Sequence, residues 1–143
     1  MTKQLVCSRD VEEQVMDQWH PVKFPERMHL ITGIGNYLNS HCTQQWFIKK
    51  WIVTVWFQSL EDCLHIQQVL AECDTQHFVA FDRQNFRDKD AKKEREMWLT
   101  THVGLDLRTN WPKGKWIQGH KDYKPGYWFS SLEDATQFSL VWN

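Results

Sequence analysis

The pattern Trp-Phe-x-Ser-Leu-Glu-Asp occurs twice in this chain, at 56–62 and at 128–134. In both copies an aromatic run typical of a β-strand precedes the serine. The acidic residues after the serine suit the first turn of a helix, where the helix dipole favours negative charge. A serine three residues before an acidic residue also resembles a capping box. The repeat therefore predicts a unit of strand, serine cap and helix that is used twice.

Two explanations of this repeat stay open at the sequence level. One is duplication of a β-α-β half, and the other is convergence of two unrelated segments on a good helix cap. Similarity continues past the cap, where Ile66 corresponds to Phe138 and Val69 to Val141. Under either explanation the motif is structural, and neither Glu61 nor Glu133 needs a catalytic role.

The first half of the chain predicts three further features. An amphipathic helix is expected at 10–19 with Asp10 as its N-cap, followed by a linker that contains Pro21 and Pro25. The segment 27–35 is predicted as a strand, with a helix running to Cys42 as the alternative. The aromatic and β-branched run 44–57 predicts one long buried strand. It leads into a helix over 60–72 whose inner stripe is Leu60, Cys63, Leu64, Gln67 and Leu70.

The second half predicts a short strand at 77–81 and a charged helix at 83–98. The segment 100–107 alternates apolar and polar residues, which is typical of a half-buried strand. The turn-rich segment 108–126 predicts a hairpin or extended loop around 115–118. The second capped helix is expected to end near Trp142.

These elements predict an α+β fold in which an antiparallel or mixed sheet carries helices on one face, with a ferredoxin-like arrangement as the expected form. A length of 143 residues is typical of one domain. We predict a single domain over 1–143, with an N-terminal helix and linker at 1–26 and the α+β core at 27–143.

Composition limits the function classes. The net charge of −1 gives the whole chain no bias toward nucleic acid or membrane surfaces. The polar N-terminal segment lacks the apolar region of a signal peptide, and no apolar run is long enough to span a bilayer. We therefore expect a cytoplasmic protein whose four cysteines are free thiols. The nine tryptophans suit both a small core and a contact surface.

The closing segment 126–143, with its aromatic strand, Glu-Asp-Ala cap and Phe-x-Leu-x-Trp helix, resembles the ends of many small uncharacterised proteins from tailed bacteriophages. The resemblance covers only this closing segment and includes no catalytic motif. It implies a setting, a phage protein in a bacterial host cytoplasm. It implies no activity and transfers no functional residue.

Candidate chemistry is sparse. His102 and Asp106, with His120 as a further contributor, are the candidate catalytic residues for general acid–base chemistry. Residues four apart on a strand lie about 13 Å apart, so this group needs another element. The set at 63, 65, 73 and 77 has the soft ligands of cysteine and histidine but lacks the spacing of a zinc site. We therefore predict no metal and no cofactor.

The triplet His-Cys-Thr at 41–43 is similar to half of the paired His-x-Thr motif of two-histidine phosphoesterases. The segment 102–104 lacks the hydroxyl residue that the other half requires. No cysteine lies in a motif with an obvious histidine partner, so nucleophilic catalysis has no better support.

The segment 108–127 interleaves basic and aromatic residues. Basic side chains bind phosphates and aromatic faces stack on bases, and tryptophan, tyrosine and arginine are also common in protein interfaces. Residues 83–124 carry eleven Lys and Arg against six Asp and Glu, a charge of +5, which leaves −6 for the remainder. The predicted binding residues are Arg108, Trp111, Lys113, Lys115, Trp116, Lys121, Tyr123 and Lys124. The alternative is a solvated basic hairpin whose tryptophans pack onto the sheet.

Three functions follow from these observations. The first is a phage-type accessory protein that binds and modulates, by inhibition, a bacterial host macromolecule without catalysis. The second is a nucleotide or single-stranded nucleic-acid binding module that uses 108–127. The third is a small hydrolase or lyase with a site at a subunit interface, since small α+β domains often form homo-oligomers through a sheet edge. The absence of a full catalytic motif favours the first function, for which a bacterial host protein is the expected partner.

Overall fold

The computed structural model describes residues 2–25, 34–49 and 53–143. By its internal contacts the chain divides into two compact units, Met1–Glu72 and Cys73–Asn143. Each unit holds one small antiparallel sheet and its own helices. In the described ranges, no helix is both long and apolar enough to cross a bilayer.

The first unit has a three-stranded sheet in the order β1-β3-β2, antiparallel throughout. Helix α3 packs across β1 and β3. Helix α1 also packs on this sheet, where its buried Val15 contacts Phe47 and Trp56. The elements are α1 (Arg9–Gln18), β1 (His20–Lys23), α2 (Ile34–His41), β2 (Trp46–Lys49), β3 (Thr54–Phe57) and α3 (Leu60–Glu72).

The second unit has a three-stranded antiparallel sheet in the order β4-β6-β5. Helix α6 packs across β4 and β6. Tyr127, Phe129 and Phe138 are fully buried at the centre of its core, with Trp116 and Leu99 in the same cluster. The elements are β4 (His77–Ala80), α4 (Arg83–Arg87), α5 (Lys89–His102), β5 (Trp116–Lys121), β6 (Lys124–Phe129) and α6 (Leu132–Trp142).

The two units share one chain topology. In each, an edge strand is followed by helix, a strand pair and a final helix, and the last strand lies in the middle of the sheet. The registers also agree. Phe57 pairs with His20 on one side and Trp46 on the other, as Phe129 pairs with His77 and Trp116.

Backbone hydrogen bonds repeat in the same way. The Phe24 N–H donates to the Val53 carbonyl at 2.9 Å, and the Phe81 N–H donates to the Pro125 carbonyl at 2.8 Å. Each donor directly follows the edge strand of its own unit. More residues separate donor and acceptor in the second unit, because this unit has α4 and α5 between its edge strand and its strand pair. The similarity therefore extends over a whole strand–helix unit, which favours duplication over convergence on a cap.

Both predicted caps are confirmed. The Ser59 hydroxyl accepts from the Asp62 N–H at 3.3 Å, and the Ser131 hydroxyl accepts from the Asp134 N–H at 3.4 Å. Helices begin directly after these serines. The predicted helix 60–72 and the strand near 77–81 are also confirmed.

The α+β class and the antiparallel pairing are confirmed. The described strands form two three-stranded sheets and not the single sheet of a ferredoxin-like fold, because each strand pair adds to an edge strand from its own unit. The internal repeat of strand, cap and helix is present in both units.

The long strand predicted at 44–57 is wrong, because β2 and β3 form an antiparallel pair. The run carries no Gly, Pro or Asn to mark the turn, and residues 50–52 lie outside the described residues. The linker predicted around Pro21 is strand β1. A proline is tolerated there because β1 is an edge strand. Of the strand predicted at 27–35, residues 27–33 lie outside the described residues, and Ile34 begins α2.

Two helices differ from prediction in detail. Helix α1 has Ser8 as its N-cap residue in place of Asp10. In α3 the buried residues are Asp62, Cys63 and Ile66, while Leu60 and Leu64 are exposed. The buried stripe is thus rotated relative to the prediction, because the Asp62 carboxylate turns inward and accepts hydrogen bonds from the loop before β2.

The strand predicted at 100–107 is also wrong. Helix α5 continues to His102, and Gly104 follows it at a φ of 146°, a backbone conformation that favours glycine. The predicted helix 83–98 is divided at Asp88, whose carboxylate accepts from the N–H groups of Asp90 and Ala91. The residues that alternate in type over 100–107 belong to the end of a helix and the turn after it, and not to a strand.

Candidate functional site

The hairpin predicted within 108–126 is present as β5 and β6, and its turn lies beyond the predicted 115–118. It closes through two residues, Asp122 and Tyr123, between the paired Lys121 and Lys124. The turn residues have positive φ values of 52° and 66°. A type I′ turn requires positive φ at both positions, and Asn-Gly or Asp-Gly is its usual sequence.

Tyr123 is an unusual residue for this position. The left-handed conformation costs residues other than glycine about 1–2 kcal/mol. Tyr123 is also 89 % exposed, so core packing does not compensate for this cost. A strained, exposed aromatic residue is more typical of function than of folding.

A pocket of about 230 Å³ lies beside this turn, between α4 and the hairpin. Its lining combines two arginines, a histidine and an exposed tyrosine with apolar surface from a buried phenylalanine and a buried proline. An Arg83 Nη donates to the Tyr123 carbonyl at 3.1 Å, which joins α4 to the turn. We call this the hairpin pocket, and it is lined by Arg83, Phe86, Arg87, His120, Tyr123 and Pro125.

Arg95 of α5 supports the hairpin pocket from within the core, where its side chain is buried. Its guanidinium donates to the carbonyls of Asn85 and Phe86 at 3.3 and 3.4 Å and to the Tyr127 hydroxyl at 3.4 Å. Its Cζ also lies 4.8 Å from the centre of the Phe81 ring. That distance is close enough for a cation–π contact. Arg95 therefore fixes the end of α4, which carries Arg87, against β6.

Two half-buried carboxyls and the buried Tyr127 hydroxyl lie in or near the same core. Burial raises the pKa of Glu96, with Lys92 opposing this and Asp106 adding to it. Burial likewise raises the pKa of Asp106, against the hydrogen bond from the Arg108 N–H at 2.8 Å. Burial raises the pKa of Tyr127 to about 12, against its hydrogen bond from Arg95. Each of these shifts follows first from desolvation of the charged form.

The described structure separates two of the candidate catalytic residues. His102 is exposed at the end of α5, with its ring centre 4.7 Å from that of Trp98. Asp106 bridges to Trp116 at the start of β5, and His120 lies near the end of that strand. Four residues of strand span about 13 Å. Asp106 and His120 therefore do not form an acid–base pair.

The structure divides the predicted binding residues into three sets. Lys121, Tyr123 and Lys124 are at the hairpin turn and exposed. Trp111 and Trp116 are only 5 % and 2 % exposed, so their assignment to a stacking surface is wrong in this structure. The Trp116 Nε1 donates to the Gly104 carbonyl at 2.8 Å. This hydrogen bond satisfies the one polar atom of the indole inside the core.

The remaining basic residues of 108–127 are exposed but lie outside the hairpin pocket. Arg108 and Lys113 belong to the turn region before β5, and Lys115 directly precedes this strand. The sequence predicted a binding surface in one continuous segment. The structure instead brings the second half of that segment against α4.

Arg83, Phe86 and Arg87 were not predicted from the sequence. They belong to a segment predicted as a charged helix with little apolar face, and their distance from Tyr123 along the chain gives no sign of contact. The sequence feature that pointed to this region was the charge of +5 over 83–124, a segment that includes both arginines.

Among the described residues, the buried Cys42 thiol is a weak candidate for nucleophilic chemistry. Burial raises the pKa of Cys42 to about 12, with Asp62 adding to this. The thiol is therefore protonated and weakly nucleophilic at neutral pH. Within the described ranges, no three side chains of His, Cys, Asp or Glu are placed to hold a metal ion. Comparison with known proteins adds no constraint, since no family model, curated protein or solved structure matches this chain.

Proposed function

We propose that the protein is a binding module for a nucleotide unit, which it holds at the hairpin pocket without catalysis. The observation that carries this proposal is the strained and exposed Tyr123 beside a pocket lined by Arg83 and Arg87. A tyrosine face stacks on a base. Guanidinium groups bind phosphate oxygens in bidentate fashion. The pocket thus offers one group for each half of a nucleotide.

The charge around the turn supports an anionic ligand. Lys121 and Lys124 flank the turn and are exposed, and Asp122 is the one acidic residue in the sequence of the hairpin. The buried Phe86 and Pro125 give the pocket an apolar floor. Such a floor suits a base or ribose better than a solvated inorganic ion.

The direct test is ligand-observed NMR with a nucleoside monophosphate and the matching nucleoside. We expect the monophosphate to bind at least about tenfold more tightly, since the arginines act on the phosphate. The double variant Arg83→Gln with Arg87→Gln should remove that difference. Lys113→Gln with Lys115→Gln is the matched control, equal in charge removed but outside the pocket, and should keep it. Equal preferences for the monophosphate in the two double variants would refute the proposal.

A second candidate is the host-directed role that the phage resemblance implies, in which the protein binds a bacterial host macromolecule. It is favoured by the exposed apolar side chains of α6, Leu132 at 63 % and Leu140 at 80 %, within the resembling segment. Affinity capture from bacterial lysate with and without nuclease tests it. A stoichiometric protein that survives nuclease and is lost with Leu140→Asp supports this role. Loss on nuclease supports the nucleotide role.

A further inference from the structure

A second basic surface lies on α5. An open depression of about 660 Å³ runs along one face of this helix. It is lined by Lys89, Lys92, Lys93, Glu96 and Met97, together with two threonines of the last turns. Their spacing of three and four residues places these side chains on one stripe, which we call the α5 stripe. The stripe is about 18 Å long at the helical rise.

The lysines lie at the less favourable end of the helix. Lys89, Lys92 and Lys93 belong to the first two turns of α5. The helix dipole disfavours a cation in the first turn, where Lys89 lies beside the acidic Asp90. Asp88, the N-cap residue, already uses its carboxylate to accept from two backbone N–H groups. A residue that lowers local stability is expected at a position where function requires that residue.

The α5 stripe and the hairpin pocket are lined by residues that are nearly adjacent along the chain. Arg87 lines the hairpin pocket and Lys89 lines the depression, with only Asp88 between them. The Cα atoms of residues two apart along a chain are at most about 7 Å apart. Asp88 is both the C-cap of α4 and the N-cap of α5, so the helix junction itself joins the two surfaces.

The hairpin pocket is small for a complete ligand. Its volume is about 230 Å³. Typical small-molecule sites enclose roughly 300 Å³ or more. One unit of a longer chain fits this size better than a dinucleotide cofactor does. The three lysines occupy only the first part of the α5 stripe, so they can contact about three phosphates of such a chain.

We propose that the ligand is a single-stranded nucleic acid, which places one base against Tyr123 in the hairpin pocket and lays its phosphate backbone along Lys89, Lys92 and Lys93. This inference rests on the proposed function and extends it to a polymer. Stacking selects a strand with accessible bases, and the lysines act on any phosphate without regard to sequence. The Glu96 carboxylate also lies within the stripe, and its negative charge repels the phosphate backbone of the ligand.

Fluorescence anisotropy of 5′-labelled oligothymidylates tests the inference. Affinity should rise with length up to about four nucleotides, one in the pocket and about three along the lysines, and then level off. The slope of log affinity against log salt should fall by about 2 when Lys89, Lys92 and Lys93 are all changed to Gln, because each phosphate contact contributes about 0.7. Lys113→Gln with Lys115→Gln should leave the slope unchanged. Glu96→Gln should tighten binding.

Other outcomes separate this inference from the proposed function. If mononucleotides bind at the hairpin pocket but affinity does not change with length, the polymer inference is wrong and the proposed function stands. An abasic oligomer or a duplex that binds as well as the thymidylate would overturn the single-strand assignment, since neither offers an open base to Tyr123. Retained length dependence in the triple lysine variant would remove α5 from the binding surface.

Discussion

Residues that look alike in the sequence have different roles in the structure. Asp62 and Asp134 occupy the same place in the repeated motif, yet their surroundings differ. Asp62 is 4 % exposed and accepts from the Thr43 N–H and hydroxyl and from the Gln44 N–H, at distances from 3.0 to 3.2 Å. Asp134 is half-buried within α6. No sequence pattern distinguishes the two, because the difference arises from a loop distant along the chain.

Replacing Asp62 by Ala should therefore lower the free energy of unfolding by about 1.5–3 kcal/mol, through loss of hydrogen bonds to a charged acceptor. Asp134→Ala should cost only about 0.3–1 kcal/mol, the value of an acidic residue in a first helical turn. Urea unfolding of both variants measures the two costs. Equal losses would show that the Asp62 contacts to the loop add nothing.

Arg95 is a buried cation whose described hydrogen-bond partners are all neutral groups. Arg95→Ala should reduce the free energy of unfolding by roughly 2–5 kcal/mol, from the cavity and the unsatisfied carbonyls. Lys93→Ala, exposed on the same helix, should stay within about 0.5 kcal/mol of the parent. Thermal unfolding compares the pair. An Arg95→Ala protein as stable as Lys93→Ala would contradict the core assignment.

Glu96 and Asp106 should make the folded state less stable as pH rises. Burial raises the folded-state pKa of each carboxyl. The unfolded chain therefore ionises first, and its proton loss favours unfolding. This loss of stability is absent at pH values below the ordinary carboxyl pKa range and complete at pH values above the raised folded-state pKa. Glu96→Gln and Asp106→Asn should thus each raise the melting temperature at neutral pH and not in strong acid. A gain that is the same under both conditions would exclude ionisation as its cause.

Among the helices and strands, prediction from sequence succeeded where a cap and a periodic run agree. Helices α3 and α6 and their serines follow from the repeated motif alone. It failed where the turn carries no marker residue, as between β2 and β3, and where a helix end imitates strand alternation, as after His102. The two tryptophans of 108–127 were misassigned because residue type does not reveal which side chains face the core.

Loss of either cap should be a stability effect and nothing more. Ser59→Ala and Ser131→Ala should each cost about 1 kcal/mol in urea unfolding. Ser40→Ala is the control, since its exposed hydroxyl donates to the Asn36 carbonyl of its own helix, and it should change little. Nucleotide binding by the folded variants should equal that of the parent. A binding loss without a stability loss would give the motif a direct role in the site.

The molecule as a whole repeats one strand–helix topology, and the second copy carries the candidate site. The first unit adds α1 on its sheet, whereas the second unit has α4 and α5 between its edge strand and its hairpin. The arginines of the hairpin pocket and the lysines of the α5 stripe all belong to that connection. The repeat and the basic segment could be found from the sequence. The contact of α4 with the hairpin could not, because it depends on Arg95 inside the core.

One substitution tests most directly whether Tyr123 accepts backbone strain in order to bind a ligand. Tyr123→Gly restores the Asp-Gly sequence that a type I′ turn favours, so it should raise the free energy of unfolding by about 1 kcal/mol. It should also remove stacking worth about 1–3 kcal/mol, roughly a 5- to 150-fold loss of affinity for a labelled oligothymidylate. Tyr123→Phe should keep both properties of the parent. A Tyr123→Gly protein that binds as tightly as the parent, or one that loses stability and affinity together, would contradict this role for Tyr123.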